Sequence, residues 1–275
     1  MLLIVGADGL LGSALVDAAL SMGLPYEGTS RRPEAKWLIN LSRPSSEWQI
    51  PAGVATAVLC AGITKISVCE NDPSTTRRVN IQSTLELASR LVGEGCRVAF
   101  LSSSQVFGQN LETPPDESTP TAPTSEYGRQ KAETEKEILQ LSPKNIVVRL
   151  PKIIHRKMPL VLDWKHRWGA GKGVEAYSDY YLSPISLPYF AYSLLAILRL
   201  QQGGIFHLGA SDAISYYDFA KWLVSHGGID KGLLSSTPAP FRQSPYSSML
   251  GCAESARIAD LCIPSAFDTL QSTFS

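Results

Sequence analysis

Short apolar runs alternate with amphipathic segments along the first 150 residues of the chain. The runs have the length of β-strands, whereas the segments between them carry apolar residues three and four positions apart. The predicted strands are residues 2–5, 55–60, 97–102 and 145–150, and the predicted helices are residues 11–22, 83–92 and 127–139. Continuous apolar strands that alternate with helices are typical of a parallel sheet covered on both faces. The pattern therefore predicts a doubly wound α/β domain.

The pattern becomes irregular after Leu150. Aromatic and basic side chains fill residues 152–181 without a clear period, and residues 231–248 are rich in Ser and Pro, which predicts a loop. Three later elements are predicted, namely a helix near 189–200, a strand over 203–209 and a helix over 216–225. We expect one domain over residues 1–153 and a smaller α/β lobe over 154–275. The strand over 203–209 is expected to return to the first sheet.

Charge and hydropathy indicate which kinds of binding partner to expect. Lys and Arg number 25, Asp and Glu number 25, and the formal net charge is zero, so the balance favours neither nucleic acid nor a membrane as partner. A small-molecule ligand fits better. The apolar residues 1–5 are too short for a signal sequence, and the stretch 189–200 is too short to span a bilayer. We expect a cytoplasmic protein.

The cysteines and histidines do not indicate a metal site. The five cysteines are scattered without a CxxC pair, and the four histidines are dispersed. We expect buried free thiols, no disulfide framework and no metal. His207 lies on a predicted strand and is interpreted as a hydrogen-bonded core histidine.

A glycine-rich turn joins the first strand to the first helix. Gly6, Gly9 and Gly12 follow the strand at three-residue spacing and open the helix. Such glycines permit a tight turn, close approach of a pyrophosphate to backbone N–H groups and close packing of helix on strand. Three glycines in an ordinary turn are the alternative. The position at the start of a βαβ pattern favours a Rossmann-type domain that binds a dinucleotide.

The end of the second strand bears on the choice between NAD and NADP. An acidic residue there binds the ribose 2′-OH, whereas arginine accommodates a 2′-phosphate. The expected acidic position falls near Ser30, which Arg31 and Arg32 follow, so NADP(H) is favoured. NAD(H) is possible because Glu27 would supply the acid if the register were different. The two arginines could also be a solvated loop.

A tyrosine, a lysine and a serine cluster form the candidate catalytic set. Tyr127 and Lys131 stand four residues apart on a predicted helix, so both lie on one face. A cation beside a phenol favours phenolate and is expected to lower the tyrosine pKa, which suits a general acid. Three hydroxyls, at residues 102–104, end a predicted strand at the edge where open α/β sheets bind ligands.

Several further motifs occur in a fixed order along the chain. They are Ala61-Gly62-Ile63-Thr64, Cys69-Glu70-Asn71-Asp72-Pro73, Val79-Asn80, Ser103-Ser104-Gln105-Val106-Phe107 and Tyr127-Gly128-Arg129-Gln130-Lys131. With these motifs the chain resembles the extended short-chain dehydrogenase/reductases over nearly its whole length. It is most similar to the dTDP-4-dehydrorhamnose reductase group, whose members bind a sugar nucleotide.

The resemblance implies roles for particular residues. The catalytic set would be Ser103, Tyr127 and Lys131, with residues 1–153 binding the dinucleotide and 154–275 mainly binding substrate. The implied cofactor-binding residues are Gly6, Asp8, Gly9, Leu10, Leu11, Gly12, Ser30, Arg31, Arg32, Asn40, Leu41, Cys60, Ala61, Gly62, Thr64, Asn80, Ser102, Tyr127, Lys131 and Leu150. The candidate substrate residues are Thr64, Ser104, Gln105, Trp164, Arg167 and Trp168. A homodimer is possible.

Departures from the family pattern narrow the implied chemistry. Related dehydratases carry an Asp-Glu pair directly after the catalytic residue, where this chain has Ser104 and Gln105. Dehydration is therefore not expected, and the substrate can differ from that of the rhamnose reductases, which have Asp-Tyr there. The expected activity is NADPH-dependent reduction of a nucleotide-linked 4-keto (deoxy) sugar. The alternatives are a nucleotide-sugar epimerase with bound NAD and a non-catalytic, NADP-binding regulatory subunit.

Basic and aromatic residues in the second half are the candidate substrate contacts. Trp164, Arg167 and Trp168 lie with Lys165 and Lys172 in one short segment. Cations would bind the phosphates of a nucleoside diphosphate, and an indole could stack on a base or sugar. A solvated basic loop with two packing tryptophans is an equally good interpretation.

Overall fold

The computed structural model describes residues 1–108, 111–240 and 249–275. Contacts between Cα atoms group them into two units. The first unit gathers residues 1–108, 120–149 and 191–206, and the second gathers the described remainder. The chain therefore leaves the first unit after residue 149 and returns to it at residue 191.

A six-stranded sheet forms the centre of the first unit. The strands of the chain are β1 (Leu2–Val5), β2 (Tyr26–Thr29), β3 (Thr56–Leu59), β4 (Arg97–Ser103), β5 (Ile146–Leu150), β6 (Ile153–Ile154), β7 (Val174–Tyr177), β8 (Tyr181–Leu182), β9 (Ile185–Ser186), β10 (Gly204–His207), β11 (Ile214–Ser215) and β12 (Leu234–Thr237). The central sheet has the order β10, β5, β4, β3, β1, β2. The predicted doubly wound parallel sheet is confirmed, and strand 204–207 lies at its edge.

The strand order reverses beside β1. Leu2 pairs in parallel with Tyr26 of β2 on one side and with Thr56 of β3 on the other. Beyond β2, Leu38 forms an isolated parallel bridge with Ser30, which extends that edge of the sheet. In open α/β sheets, ligands bind at the carboxyl ends of the strands where the order reverses. The residues that follow β1, β2 and β3 are therefore the expected ligand contacts.

The helices have bounds that partly differ from the sequence prediction. They are α1 (Leu10–Ser21), α2 (Ile66–Asn71), α3 (Pro73–Arg77), α4 (Thr84–Gly93), α5 (Glu126–Leu141), α6 (Pro159–Gly169), α7 (Leu187–Arg199), α8 (Tyr216–His226), α9 (Ala253–Ala259) and α10 (Ala266–Phe274). A wider, π-helical turn over Arg78–Ser83 joins α3 to α4 without a break in helical backbone. Such turns are frequent at functional sites. This one carries Asn80.

The second unit has an apolar core of its own. Side chains of α6, β7, α8 and α10 form one buried cluster, which includes Trp164, Trp168 and Phe219. The expectation of an irregular segment over 152–181 is wrong, because α6 is amphipathic and buries one face in this cluster. In the predicted loop 231–248, β12 pairs in parallel with β7. Residues 241–248 of that loop lie outside the described residues.

The cysteines are free thiols, but they are not all buried. Cys69, Cys96 and Cys252 are buried, Cys60 is partly buried and Cys262 is exposed, which corrects the expectation for the last. Burial raises the pKa of Cys60 to about 12. The described helices include none that is long and apolar enough to cross a membrane.

Candidate active site

The turn between β1 and α1 leaves a helix N-terminus available to an anion. Gly6 has a φ of +83°, and a Cβ atom on Gly12 would lie 2.1 Å from the Gly6 carbonyl oxygen, so both positions need glycine. Gly9 is the N-cap of α1 and has no side chain that could accept from the first N–H groups of the helix, and the first turn of α1 holds no acidic residue. Free N–H groups and the helix dipole favour a phosphate there. These residues fit a dinucleotide pyrophosphate.

A cavity of about 330 Å³ adjoins this turn at the carboxyl ends of β1, β2 and β3. It is lined by Gly6, Asp8, Gly9, Arg31, Arg32, Ile39, Asn40, Leu41, Ser42, Cys60, Ala61, Gly62, Ile63 and Val79. Ile39, Ser42, Ile63 and Val79 were not among the predicted cofactor-binding residues, although Ile63 and Val79 belong to quoted motifs. The folded strand order brings all four to the cavity.

The other predicted cofactor residues lie outside this lining. They are Leu10, Leu11, Gly12, Ser30, Thr64, Asn80, Ser102, Tyr127, Lys131 and Leu150. Leu10 and Leu11 begin α1, Ser30 directly follows β2, and Leu150 ends β5. Thr64 is exposed, whereas Ser102 is buried on β4. The Oγ atom of Ser102 has no hydrogen-bond partner among the described residues.

The polar groups after β2 are held together by Asp8. Its carboxylate accepts from the Ser30 hydroxyl at 2.9 Å and lies 3.2 Å from Nε of Arg32. Glu27, the alternative acid, instead accepts from Lys36 at 2.6 Å and from the Trp37 indole at 2.9 Å. Glu27 is therefore occupied by neighbours on its own segment, and the carboxylate that reaches the cavity is that of Asp8.

The Ser103 side chain lies close enough to Tyr127 to lower the pKa of its phenol. Ser103 ends β4, and its Oγ accepts from the Gln105 backbone N–H at 3.2 Å. Burial raises the pKa of Tyr127 well above its ordinary value, and the nearby Ser103 side chain only partly offsets this. The expectation of a lowered Tyr127 pKa is wrong in direction, because desolvation of the phenol dominates. Tyr127 is therefore a neutral phenol, able to donate a proton.

The start of α5 fixes the position of Tyr127. The Ser125 hydroxyl caps the helix by accepting from the Gly128 N–H at 3.1 Å. A Cβ atom on Gly128 would lie 2.1 Å from the Gln105 carbonyl oxygen. A glycine next to Tyr127 thus lets the helix approach the turn that follows Ser103. This close backbone packing places Tyr127 beside the turn that follows β4.

Lys131 lies one turn further along α5 and is buried. Its Nζ donates to the Leu101 carbonyl at 2.8 Å and lies 4.3 Å from the centre of the Phe100 ring. Desolvation lowers the pKa of Lys131 to about 8, although the nearby Glu135 carboxylate opposes the shift. The distance from Nζ to the centre of the Tyr127 ring is 5.8 Å. The cation is thus beside the phenol and anchored to β4.

Replacement of Lys131 by Met should change how stability depends on pH. Between its folded pKa of about 8 and its ordinary value of 10.5, the unfolded chain binds this proton and the folded chain does not. The free energy of unfolding of the wild type therefore rises across this window by up to about 3 kcal/mol, a gain that Lys131→Met lacks. Urea denaturation at several pH values measures the difference, and Lys136→Met, on the exposed face of α5, supplies the baseline. A wild-type advantage that does not grow with pH would contradict this assignment.

A chain of buried amides holds the loop after β3. The Ile63 N–H donates to Asn80 Oδ1, and Asn80 Nδ2 donates to the Ile63 carbonyl and to Gln130 Oε1, each at 2.8 Å. Gln130 Nε2 donates to Thr76 Oγ1 at 2.9 Å and to Glu126 Oε1 at 3.1 Å. The sequence predicted Asn80 but missed Gln130, whose role depends on contacts with residues 50 positions away.

A buried ion pair lies on the same face of α5 as Tyr127 and Lys131. Glu135, four residues after Lys131, accepts from Arg149 of β5 through both carboxylate oxygens, at 2.9 to 3.2 Å. Both side chains are almost fully buried. The Arg149 guanidinium also stacks over Phe107 at 4.9 Å.

The candidate substrate residues are divided between the two units, with Trp164, Arg167 and Trp168 in the second. Trp164 and Trp168 are 5% and 6% exposed in the core of the second unit, and the Trp168 indole donates to the Leu233 carbonyl at 3.3 Å. Arg167 donates to the Gly173 carbonyl at 2.7 Å on the surface of the same unit. This placement favours packing roles for the two tryptophans. Ser104 is buried and Gln105 half-buried in the turn after β4.

His207 is buried and hydrogen-bonded within the second unit. Its Nδ1 lies 3.0 Å from the Gly251 carbonyl oxygen, and its backbone N–H donates to the Ser255 hydroxyl at 2.8 Å. The placement agrees with a core histidine.

Comparison with known proteins gives a family match and curated relatives. A family model described as the RmlD substrate binding domain matches residues 1–266. The chain is 26% identical over 246 residues to a dTDP-4-keto-6-deoxy-D-glucose reductase of Streptomyces niveus, covering 86% of this chain and 82% of that protein. It is 27% identical over 269 residues to a probable dTDP-4,6-dihydroxy-2-methyloxan-3-one 4-ketoreductase of Streptomyces antibioticus, covering 90% and 86%.

The fold is also similar to that of solved structures. A dTDP-4-dehydrorhamnose reductase of Bacillus anthracis, solved in complex with NADP, superposes with a TM-score of 0.85 at 18% identity. The superposition covers 99% of this chain and 96% of that one.

Proposed function

We propose, from the premise that this chain belongs to the RmlD substrate binding domain family, that it reduces a 4-keto (deoxy) sugar carried on a nucleotide. The observation that supports this most directly is the proximity of three side chains: Ser103 acts on the pKa of the Tyr127 phenol, and Lys131 Nζ lies 5.8 Å from the centre of the Tyr127 ring. A neutral phenol near a second hydroxyl suits protonation of a carbonyl oxygen.

The glycine turn, the N-terminus of α1 and the cavity residues would hold NADP(H) or NAD(H). When bound, the nicotinamide dinucleotide would supply a hydride to the carbonyl carbon. Tyr127 donates its proton to the carbonyl oxygen, so the carbonyl becomes an alcohol. Ser103 donates a hydrogen bond to the same oxygen, and Lys131 supplies a positive charge that stabilises the phenolate left on Tyr127.

The named relatives support the choice of substrate class. Both curated relatives carry names of reductases that act on keto sugars linked to dTDP. Ser104 and Gln105 hold no carboxylate that could remove a proton next to the carbonyl. Simple reduction therefore fits the residues around Ser103 better than dehydration.

A turnover assay tests this function. Purified protein is incubated with NADPH and dTDP-4-keto-6-deoxyglucose, and in parallel with UDP- and GDP-linked keto sugars. The mass of each product is measured by mass spectrometry. We expect one NADPH to be oxidised for each sugar that gains two hydrogens. An isomeric product without net cofactor oxidation would instead indicate an epimerase. Absence of turnover on the whole panel, with a stoichiometric enzyme recovered as partner, would indicate a regulatory subunit.

A further inference from the structure

The segment after β2 has no acidic residue of its own, but Asp8 of the glycine turn places a carboxylate beside it. β2 ends at Thr29, and the residues that follow it are Ser30, Arg31 and Arg32, so this segment carries no carboxylate where NAD-binding proteins place one. In the folded chain the carboxylate of Asp8, from the turn before α1, lies on Ser30 and Arg32. An acid 22 positions away in sequence is thus hydrogen-bonded to Ser30, the residue at which the sequence pattern expected an acid.

Asp8 is bound by the same groups, Ser30 and Arg32, that would donate hydrogen bonds to a 2′-phosphate. The Ser30 hydroxyl donates to Asp8 Oδ2 at 2.9 Å, and Arg32 Nε lies 3.2 Å from the same oxygen. The Arg32 backbone N–H in turn donates to Ser30 Oγ at 3.1 Å, which closes a small ring of polar contacts. The positive charge of Arg32 is therefore balanced before any ligand arrives.

Two other arginines border the same region. Arg31 lines the main cavity, and a neighbouring cavity of about 260 Å³ is lined by Arg31, Asn40, Arg43 and Glu47 among others. Over residues 1–108, 111–240 and 249–275, no carboxylate forms an ion pair with Arg31 or Arg43. These two cations remain available to a phosphate, whereas Arg32 must first release Asp8.

We propose that Asp8 sets the cofactor preference of this protein, by accepting a hydrogen bond from a ribose 2′-hydroxyl and by competing with a 2′-phosphate for Arg32 and Ser30. This inference rests on the proposed function, since it requires that a nicotinamide dinucleotide binds at the glycine turn. With NAD(H), the contacts of Asp8, Ser30 and Arg32 persist. With NADP(H), the phosphate binds Arg31 and displaces Asp8 from Arg32.

The charge of Asp8 therefore lowers affinity for NADP(H) and not for NAD(H). A phosphate monoester carries about 1.5 to 2 negative charges at pH 7, and an uncompensated carboxylate beside it repels it. The chain should bind both dinucleotides, with a smaller preference for NADP(H) than three nearby arginines would otherwise give. Asp8 is 32% exposed, so salt should weaken the repulsion.

Direct binding measurements on Asp8→Asn test the proposal. Asn keeps the size and one acceptor oxygen but removes the charge. Isothermal titration with NADPH and NADH should show NADPH bound about tenfold more tightly than by wild type, and NADH bound a few-fold more weakly. The gain for NADPH should shrink at high salt. Asp17→Asn, an exposed acid on α1, is the matched control for loss of one negative charge and should change neither affinity by more than about twofold.

A double-mutant cycle with Arg32→Gln tests whether Asp8 acts through its contact with Arg32. Arg32→Gln should weaken NADPH binding more in the Asp8→Asn background than in wild type, because only there is the guanidinium released from the carboxylate. Equal changes in NADPH and NADH affinity for Asp8→Asn would overturn the proposal while leaving the proposed function intact. Failure of the wild type to bind either dinucleotide would overturn both. Binding with the expected pattern, but no reduction of any keto sugar, would overturn the proposed function alone.

Discussion

Replacement of Tyr127 by Phe should reduce turnover of the keto sugar by about 10²- to 10⁴-fold, the usual contribution of a positioned general acid. The ring that packs against the buried surroundings is retained, and only the proton-donating hydroxyl is lost. Ser103 keeps its hydrogen bond, because its Oγ accepts from the Gln105 N–H. The variant should therefore fold normally and bind NADPH with an unchanged Kd, as measured by titration calorimetry.

A second Tyr→Phe variant, at Tyr192, is the control that shows how much activity is lost when a tyrosine hydroxyl outside the candidate site is removed. The Tyr192 hydroxyl is hydrogen-bonded to the Ser21 hydroxyl at 2.9 Å, on the surface of the same unit. Tyr192→Phe removes one hydrogen bond of similar kind and should leave kcat within about twofold. Near-normal turnover by Tyr127→Phe, with NADPH binding retained, would show that another group protonates the oxygen.

The parts of the site that follow from local sequence were predictable. Gly6, Gly9 and Gly12 belong to one turn, and their spacing at the start of a βαβ pattern predicts a phosphate-binding helix N-terminus. Tyr127 and Lys131 share a face because a helix repeats every 3.6 residues. The apolar strands gave the sheet, since residues buried on both faces must be apolar.

Features that depend on distant partners or on burial were not predictable in the same way. Asp8 meets Ser30 and Arg32 only after β1 and β2 pair, so sequence reasoning found no acid at that place. The pKa of Tyr127 moves opposite to the expectation because burial, which composition cannot reveal, is the largest cause of its shift. Trp164 and Trp168 showed the same ambiguity, since an indole that packs and an indole that binds a sugar are identical in sequence.

Replacement of Arg149 by Met should lower the free energy of unfolding by about 3–5 kcal/mol, because it leaves the buried Glu135 carboxylate without its cation. The cation over the Phe107 ring is lost as well. The measurement is the midpoint of urea denaturation. If the dependence of the unfolding free energy on urea concentration (the m value) is unchanged, the shift in midpoint reports a change in stability alone. Arg257→Met, which breaks an exposed pair with Glu254, is the matched control and should change the free energy by no more than about 1 kcal/mol.

Removal of both partners should recover most of the lost stability, because two apolar side chains avoid the desolvation penalty of an unpaired charge. The double variant Glu135→Met with Arg149→Met then isolates the effect of the pair on Lys131. Burial lowers the pKa of Lys131, and the Glu135 carboxylate opposes that shift. The double variant should therefore lose the positive charge of Lys131 at a lower pH, and the alkaline limb of the pH–rate profile should move in the same direction. A double variant as unstable as Arg149→Met alone would mean that packing around these positions, and not charge neutralisation, stabilises this part of the active site.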